Sequence, residues 1–227
     1  MNVAIVGKTN KKWIIKILKR HKFNIVQKKP EIVISNGGDG TILYSERLYP
    51  GIPKLTIKTS KICRKCDYTP KYLEILLDKI KEGKYKIKEM IKLKATTKQK
   101  KIVALNEINI HHKLPTKAIR FYIKFGKNKI INLIGDGVII ATPFGSTGYY
   151  KSVGGKFFSD GIGIAFNNLH NKKEMCHIIN EKNKIEVGID RENAYIISDN
   201  YENYIQLKPK EKVVICVNRT KAKFIEF

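Results

Sequence analysis

Residues 31–48, EIVISNGGDGTILYSERL, pass from a compact apolar segment through Gly37, Gly38 and Gly40 into a stretch of helical character. A short β-branched run followed by glycines reads as a buried strand, and the glycines let the backbone turn tightly and approach a neighbour or a ligand. Strand, glycine turn and helix in that order is the repeating unit of a parallel α/β sheet. The surrounding chain keeps the alternation. VAIVG (3–7) is a β-rich run, and residues 11–21 carry Trp13, Ile14, Ile17 and Leu18 at helical spacing. GIPKLTIK (51–58) supplies another strand. The spacing predicts a helix over 69–83, with Tyr72, Leu73, Leu76, Leu77 and Ile80 on one face and Thr69, Pro70 and Gly83 as its punctuation.

After about residue 85 the period changes. KIKEMIKLKATT, KIVALNEINIHH, AIRFYIKF and KIINLIGDGVIIATP follow one another, and KNKIEVGI, AYIISD, YIQLK and EKVVICV come later. These segments alternate roughly residue by residue and are separated by turn signals such as FGKNKI, the pattern of a mostly β fold. The expectation is therefore two domains, with the change of pattern near residues 84–94. No fixed-period repeat and no Gly/Ser or Pro-rich linker interrupts the chain.

The charge balance is lopsided, with 45 Lys and Arg against 20 Asp and Glu, a formal net charge of +25. A positive field attracts nucleotides, polyphosphate, nucleic acid and acidic lipid alike and does not select among them. Lysine clusters such as Lys98, Lys100 and Lys101 lack interleaved aromatics or a recognisable reader module, so nucleic acid is not the expected partner. No apolar run approaches the ~18 residues of a membrane span. Residues 1–8 read as an opening strand, so a cytoplasmic protein without a membrane partner is expected.

A glycine turn before a helix normally welcomes anions, yet Asp39 sits inside this one. Two tasks suit an acid there: taking a proton from an attacking hydroxyl, or holding magnesium against phosphates. The bland alternative is an N-cap for a helix beginning at Thr41. A second acid, Asp136, lies between glycines at the head of GDGVIIATPFGSTGYYKSVGG (135–155), with Thr142, Ser146, Thr147, Ser152 and Tyr149 following. Small hydroxyls, exposed backbone and one aromatic suit a sugar and a purine. Asn106 and Glu107 interrupt a third strand-like run, and they reach one ligand only if the strand ends or bulges there, because neighbours on a strand face opposite ways.

The triple of GGDGT (37–41), Asn-Glu (106–107) and G-D-G-x-x-x-x-T-P-x-G-S-T (135–147) resembles NAD kinase over nearly the whole chain. GGDGT is shared with diacylglycerol-type lipid kinases, whereas the TP-x-GST stretch discriminates. The resemblance implies an α/β N-terminal domain with a Rossmann-like parallel sheet over 1–90. A β-rich NAD-binding domain over 91–227 would follow, its final strand able to return to the first. It implies transfer of a phosphoryl group from ATP or polyphosphate to the 2′-hydroxyl of the adenosine ribose of NAD, with Mg2+ or another divalent cation. Asp39 would be the catalytic aspartate, and Gly37, Gly38, Gly40 and Thr41 the donor turn. NAD would be held by Gly40, Asn106, Glu107, Asp136, Ser146, Thr147, Tyr149 and Ser152, and no residue is assigned as a metal ligand. Asp136 would contact the nicotinamide half, often across subunits, which implies a homo-oligomer, dimer or tetramer. The alternatives are a lipid or other kinase of the superfamily, or a non-catalytic nucleotide- or nucleic-acid-binding protein.

The chain departs from the family pattern at several points. TPFGSTGY stands where TPTGSTAY is usual, and SKICRK where G-x-LGF is, which puts Cys63 and Arg64 at the glycine and phenylalanine. The late Asp-Gly turn is Asp199–Asn200. The stretch after the final glycines is represented by GIGIAFNNLHNK. Cys63 and Cys66 form a C-x-x-C without a second pair, so ordinary thiols in a basic loop are expected rather than a zinc site or disulfide framework. His111 and His112 point apart on their strand and read as surface residues.

Overall fold

The computed structural model describes residues 1–7, 11–170 and 176–227. They form two compact units, Met1–Met90 with Thr220–Phe227, and Ile91–Arg219.

The first unit runs β1 (Asn2–Val6), α1 (Lys12–Arg20), β2 (Asn24–Ile25), β3 (Ile32–Gly37), α2 (Asp39–Leu48), β4 (Lys54–Lys58), α3 (Leu73–Lys81) and β5 (Lys86–Met90). The closing strand Ala222–Glu226 enters its sheet between β4 and β5. Strands β2, β1, β3, β4 and the closing strand are parallel in that order, and β5 pairs antiparallel at the edge. The expected parallel sheet is what forms. All of β3 is buried, because Ile32 and Ile34 enter one apolar cluster and Val33 another on the opposite face. The core-facing stripe of α1 is Ile14 and Leu18, with Trp13 and Ile17 partly buried beside them. In α3 the stripe is Leu73, Leu76, Leu77 and Ile80. Each such side chain contributes about 1.5–3 kcal/mol on burial, enough to account for two short helices of weak intrinsic stability. Tyr72 does not join them. It ends the 3-10 turn Pro70–Tyr72, where the helical spacing has not yet begun, and is 44% exposed with the Lys71 ammonium over its ring.

The second unit is antiparallel throughout its described pairings. Its strands are β6 (Leu93–Thr96), β7 (Lys101–Ala104), β8 (Glu107–His112), β9 (Ile119–Phe125), β10 (Asn128–Gly135) and β11 (Gly137–Ala141), followed by the short helix α4 (Tyr149–Ser152). Then come β12 (Ile162–Asn167), β13 (Cys176–Ile179), β14 (Ile185–Arg191), β15 (Ala194–Ser198), β16 (Ile205–Leu207) and β17 (Lys212–Val217). One sheet has the order β10–β9–β14–β17–β6–β7 and the other β13–β12–β11–β8–β15–β16. Both supply one core, with Phe121, Ile123, Val187 and Ile215 from the first and Ile108, Ile110, Val138 and Ile140 from the second. β9 alternates cleanly, with Ile119, Phe121, Ile123 and Phe125 inside and Arg120 and Lys124 outside. β11 is buried on both faces, because Ile139 and Ala141 are covered by Tyr150 and Phe158. That cover lays the Gly-Ser-Thr segment against the outer face of the sheet. Among the described residues no helix is long and apolar enough to cross a membrane.

One ion pair in the first unit is removed from water on both sides. Lys54 and Glu46 are buried and in direct contact, and the Lys54 ammonium also donates to the carbonyls of Tyr49 (3.0 Å) and Ile52 (2.8 Å). The Gly51 N–H donates to Glu46 Oε1 at 3.0 Å. Removing one member strands the other as a buried charge. Glu46→Ala is expected to cost about 3–5 kcal/mol of stability in denaturant unfolding, whereas replacing both residues with apolar ones of similar size costs far less. Equal losses in the two variants would contradict the pair's role.

Candidate active site

In the first unit the residues expected to form the donor turn lie where β3 passes directly into α2. Gly38 is the N-cap, with φ −125° and ψ −167°, and Asp39 is already the first helical residue, its carboxylate engaged by the loop after β4. The reading of Asp39 as a simple cap of a helix starting at Thr41 therefore fails. Gly37 is required by packing, because a Cβ there would stand 2.2 Å from Thr41 Oγ1. The N-terminus of α2 supplies the partial positive charge that favours phosphate.

The Asp39 carboxylate turns to the loop after β4. Its Oδ1 accepts the backbone N–H groups of Arg64 (3.0 Å) and Lys65 (2.9 Å), and the Arg64 N–H also reaches Oδ2 at 3.3 Å. Cys63 Sγ lies 3.0 Å from Oδ1. Cys63 and Cys66 are joined in a disulfide, which corrects the expectation of ordinary thiols. Folding brings the two sulfurs together across a tight loop, which spacing alone did not require. Burial pushes the Lys65 ammonium below its ordinary pKa, with Asp39 opposing that shift and Lys88 adding to it. Asp39, Cys63 and Cys66 stand close enough together to suggest a metal site. With the sulfurs bonded to each other, however, the set offers one hard carboxylate and no thiolate. It fits a magnesium ion shared with phosphate oxygens and water, not an all-protein cage.

In the second unit Asn106 and Glu107 straddle the end of a strand. β7 stops at Ala104, Leu105 and Asn106 form a bend, and Glu107 opens β8. The break is made by Asp199, whose carboxylate accepts the N–H groups of Leu105 (2.8 Å), Asn106 (2.7 Å) and Glu107 (3.2 Å). The bend lets both side chains reach one place. A Cβ on Gly148 would lie 3.3 Å from Glu107 Oε2 and 3.4 Å from Asn106 Nδ2. Gly145 packs on the same bend so closely that its Cβ would meet Asn106 O at 2.2 Å. Thr142 ties the two segments together, donating to Leu105 O at 2.6 Å and accepting the Gly145 N–H at 3.1 Å.

Asn106 Oδ1 and Glu107 Oε2 are buried with no hydrogen-bond partner. Orphaned acceptors of this kind cost stability and mark a place that a polar ligand completes. Burial first, and the charge of Asp199 second, raise the Glu107 pKa to about 8, so the group carries a proton at neutral pH and can donate as well as accept.

The remaining sequence-predicted residues extend from Gly148. Ser146 is fully buried and its hydroxyl donates to Pro143 O at 2.8 Å, so it braces the turn; Thr147 is half-buried beside it. Tyr149 is exposed and its hydroxyl accepts from Asn167 Nδ2 at 3.3 Å, while Ser152 is exposed at the end of α4. Asp136 sits between β10 and β11, and its Oδ2 accepts from Asn168 Nδ2 at 2.7 Å. Asn167 and Asn168 thus link Tyr149 to Asp136, whereas Glu107 pairs with Ala141 at the far end of β11. Phe144, the departure from the usual small hydroxyl, is buried. The GIGIAFNNLHNK stretch is described only to His170. Sequence reasoning noted Asp199 as a turn and missed it as an anchor. Its only signal was an acid in a turn, and the partners lie more than ninety residues away.

A family model described as the ATP-NAD kinase C-terminal domain matches residues 105–227. The NAD kinase of Sulfurisphaera tokodaii is 31% identical over 225 residues, covering 95% of this chain and 89% of that protein. The NAD kinase of Pyrococcus abyssi is 31% identical over 205 residues, covering 87% and 73%. Among solved structures, an NAD kinase from Archaeoglobus fulgidus in complex with ATP aligns with a TM-score of 0.86 at 24% identity, covering 99% of this chain and 93% of that one. Yeast NADH kinase complexed with NADH aligns at 0.87 with 16% identity, covering 100% and 83%. The two structural likenesses are likenesses of fold.

The raised pKa of Glu107 has a sign that can be tested. The folded protein keeps this proton up to about pH 8, while the unfolded chain loses it near the ordinary carboxyl value of 4.5. The folded state therefore binds more protons between those values, and stability falls as pH rises through that window. Glu107→Gln removes the titration. Its unfolding free energy relative to wild type should rise from pH 5 to pH 8, by at most about 1.4 kcal/mol per pH unit. A difference independent of pH in denaturant titrations would contradict the assignment.

Proposed function

The chain belongs to the NAD kinase family, and from that premise we propose how its residues divide the transfer of a phosphoryl group to NAD. Asp39 faces the 2′-hydroxyl of the adenosine ribose and takes its proton as the new O–P bond forms. Gly37, Gly38, Gly40 and Thr41 hold the donor phosphates with backbone N–H groups at the start of α2, where the helix dipole favours anions. ATP is the donor favoured by the complex of the Archaeoglobus fulgidus relative, and inorganic polyphosphate is the competing donor. A divalent cation held at the donor phosphates would neutralise the charge on the transferred group, leaving Asp39 to serve the acceptor hydroxyl. The observation that carries this reading is the Asp39 carboxylate, held by the Arg64 and Lys65 N–H groups instead of capping its own helix.

Asn106 and Glu107 bind the ribose and neighbouring groups of NAD, which would satisfy the two acceptors left open beside Gly148. A protonated Glu107 can donate to a ribose oxygen while accepting from a hydroxyl. Gly40, Thr147, Tyr149 and Ser152 complete the adenosine contacts, and Ser146 acts through the turn it braces. Alignment of hydroxyl and phosphate is then the main source of rate.

Asp136, whose carboxylate accepts from the Asn168 amide, takes the nicotinamide half within a homo-oligomer, a dimer or tetramer. For Asp136→Ala the KM for NAD should rise with kcat retained, and sedimentation should give more than a monomer; a monomeric enzyme with unchanged KM contradicts this.

The main test is NADP formation with magnesium, varying ATP and polyphosphate one at a time. Asp39→Ala should lose roughly 10²–10⁴-fold in kcat, the range of a positioned proton acceptor. A variant as active as wild type removes Asp39 from the mechanism.

A further inference from the structure

The Cys63–Cys66 disulfide has no part in the reaction derived above, yet it surrounds the group that does. The bond closes a loop containing only Arg64 and Lys65, the two residues whose N–H groups hold Asp39 Oδ1 at 3.0 and 2.9 Å. No helix or strand supports these donors, since residues 60–67 are irregular. The base of the loop, by contrast, is pinned without the sulfurs. Lys58 N–H donates to Tyr68 O at 2.7 Å, and Thr59 and Ser60 N–H groups donate to Gly37 O. Asp67 and Thr56 exchange bonds at 3.0 and 3.2 Å. The disulfide therefore governs the tip of the loop, while the backbone and Thr56–Asp67 bonds that attach the loop to the sheet do not involve it; Cys66 Sγ adds one contact, 3.6 Å from Gly37 O. Both cysteines are partly exposed, within reach of an external thiol.

We propose that the Cys63–Cys66 disulfide is a positioning device for Asp39, and that its reduction slows phosphoryl transfer. The proposal rests on the reading of Asp39 as the group facing the acceptor hydroxyl. Closing a small ring restricts the conformations that Arg64 and Lys65 can sample, so that their two donors stay aimed at one oxygen. Cys63 and Cys66 are then positioning residues that act through the backbone between them. In the disulfide Cys63 Sγ, 3.0 Å from Asp39 Oδ1, has no proton to donate.

The reductant is a dithiol. Its thiolate attacks one sulfur, the S–S bond breaks and a mixed disulfide forms; its second thiolate then displaces the protein. Two electrons and two protons pass to Cys63 and Cys66, which become thiols, and the reductant leaves as its own disulfide.

The test uses the full chain, oxidised with oxidised glutathione or reduced with dithiothreitol, with thiols counted by alkylation and mass measurement. On reduction kcat should fall about tenfold, while the KM values for NAD and donor stay within about twofold, and reoxidation should restore the rate. The double variant Cys63→Ser with Cys66→Ser should show the reduced rate under both conditions. Cys176→Ser with Cys216→Ser should respond as wild type does. Equal kcat in oxidised and reduced wild type overturns the proposal, as does a double variant with the full oxidised rate.

A measurement without turnover separates this from the reading of Asp39. The thiol–disulfide equilibrium against glutathione should shift about tenfold toward the dithiol in Asp39→Ala, because the N–H groups lose the carboxylate they hold. An unshifted equilibrium beside an inactive Asp39→Ala leaves the role of Asp39 standing and removes that of the disulfide. A fully active Asp39→Ala removes the reading of Asp39, and the proposal with it, whatever the equilibrium does.

Discussion

Consecutive backbone N–H groups converge on a single carboxylate in each unit of this protein: Arg64 and Lys65 on Asp39, and Leu105, Asn106 and Glu107 on Asp199. In both cases the backbone is irregular, and the donors would otherwise need water or a strand partner. A charged acceptor satisfies several of them at once and strengthens each bond. The consequences differ. Asp39 holds an irregular loop against the start of α2, whereas Asp199 breaks a strand so that two neighbouring side chains, which a regular strand would send to opposite faces, meet at Gly148.

That second arrangement is costly. Two buried acceptors lack partners, and Glu107 is driven to hold its proton by burial and by the carboxylate that anchors its own backbone. The rest of the unit absorbs the cost. Twelve strands supply one apolar core, and Tyr150 and Phe158 seal the outer face of β11. A stiff sheet beneath and an aromatic cover above leave the Gly145–Gly148 turn little freedom. Pre-organisation of this kind lowers the ordering cost of whatever ligand binds there.

The parts legible in the sequence were those with local causes. The buried strand before Gly37, the helical stripes of α1 and α3 and the alternation of β9 follow from side-chain period alone. Gly37 and Gly145 were legible as glycines, though the contacts that forbid a Cβ at each came only with the fold. Tyr72 was misread because apolar spacing ran one residue past the true helix start, into a 3-10 turn. The hydroxyl of Ser146 suggested a ligand contact by type, but it is used within its own turn. The disulfide was discounted because a single C-x-x-C carries no framework, and nothing in its spacing pointed to the acid beside it.

The order and chemistry of the motifs, the α/β-then-β architecture and the family were decided by the sequence itself, because residue type and period act over a few positions. Only the tertiary structure decided which donors each carboxylate holds. Asp39 and Arg64 are 25 residues apart, and Leu105 and Asp199 are 94 apart. Contacts at such separation depend on how sheets pair and loops close, which no local pattern encodes. An aspartate in a glycine turn is a cap, a base or a metal ligand until the fold determines which donors reach it.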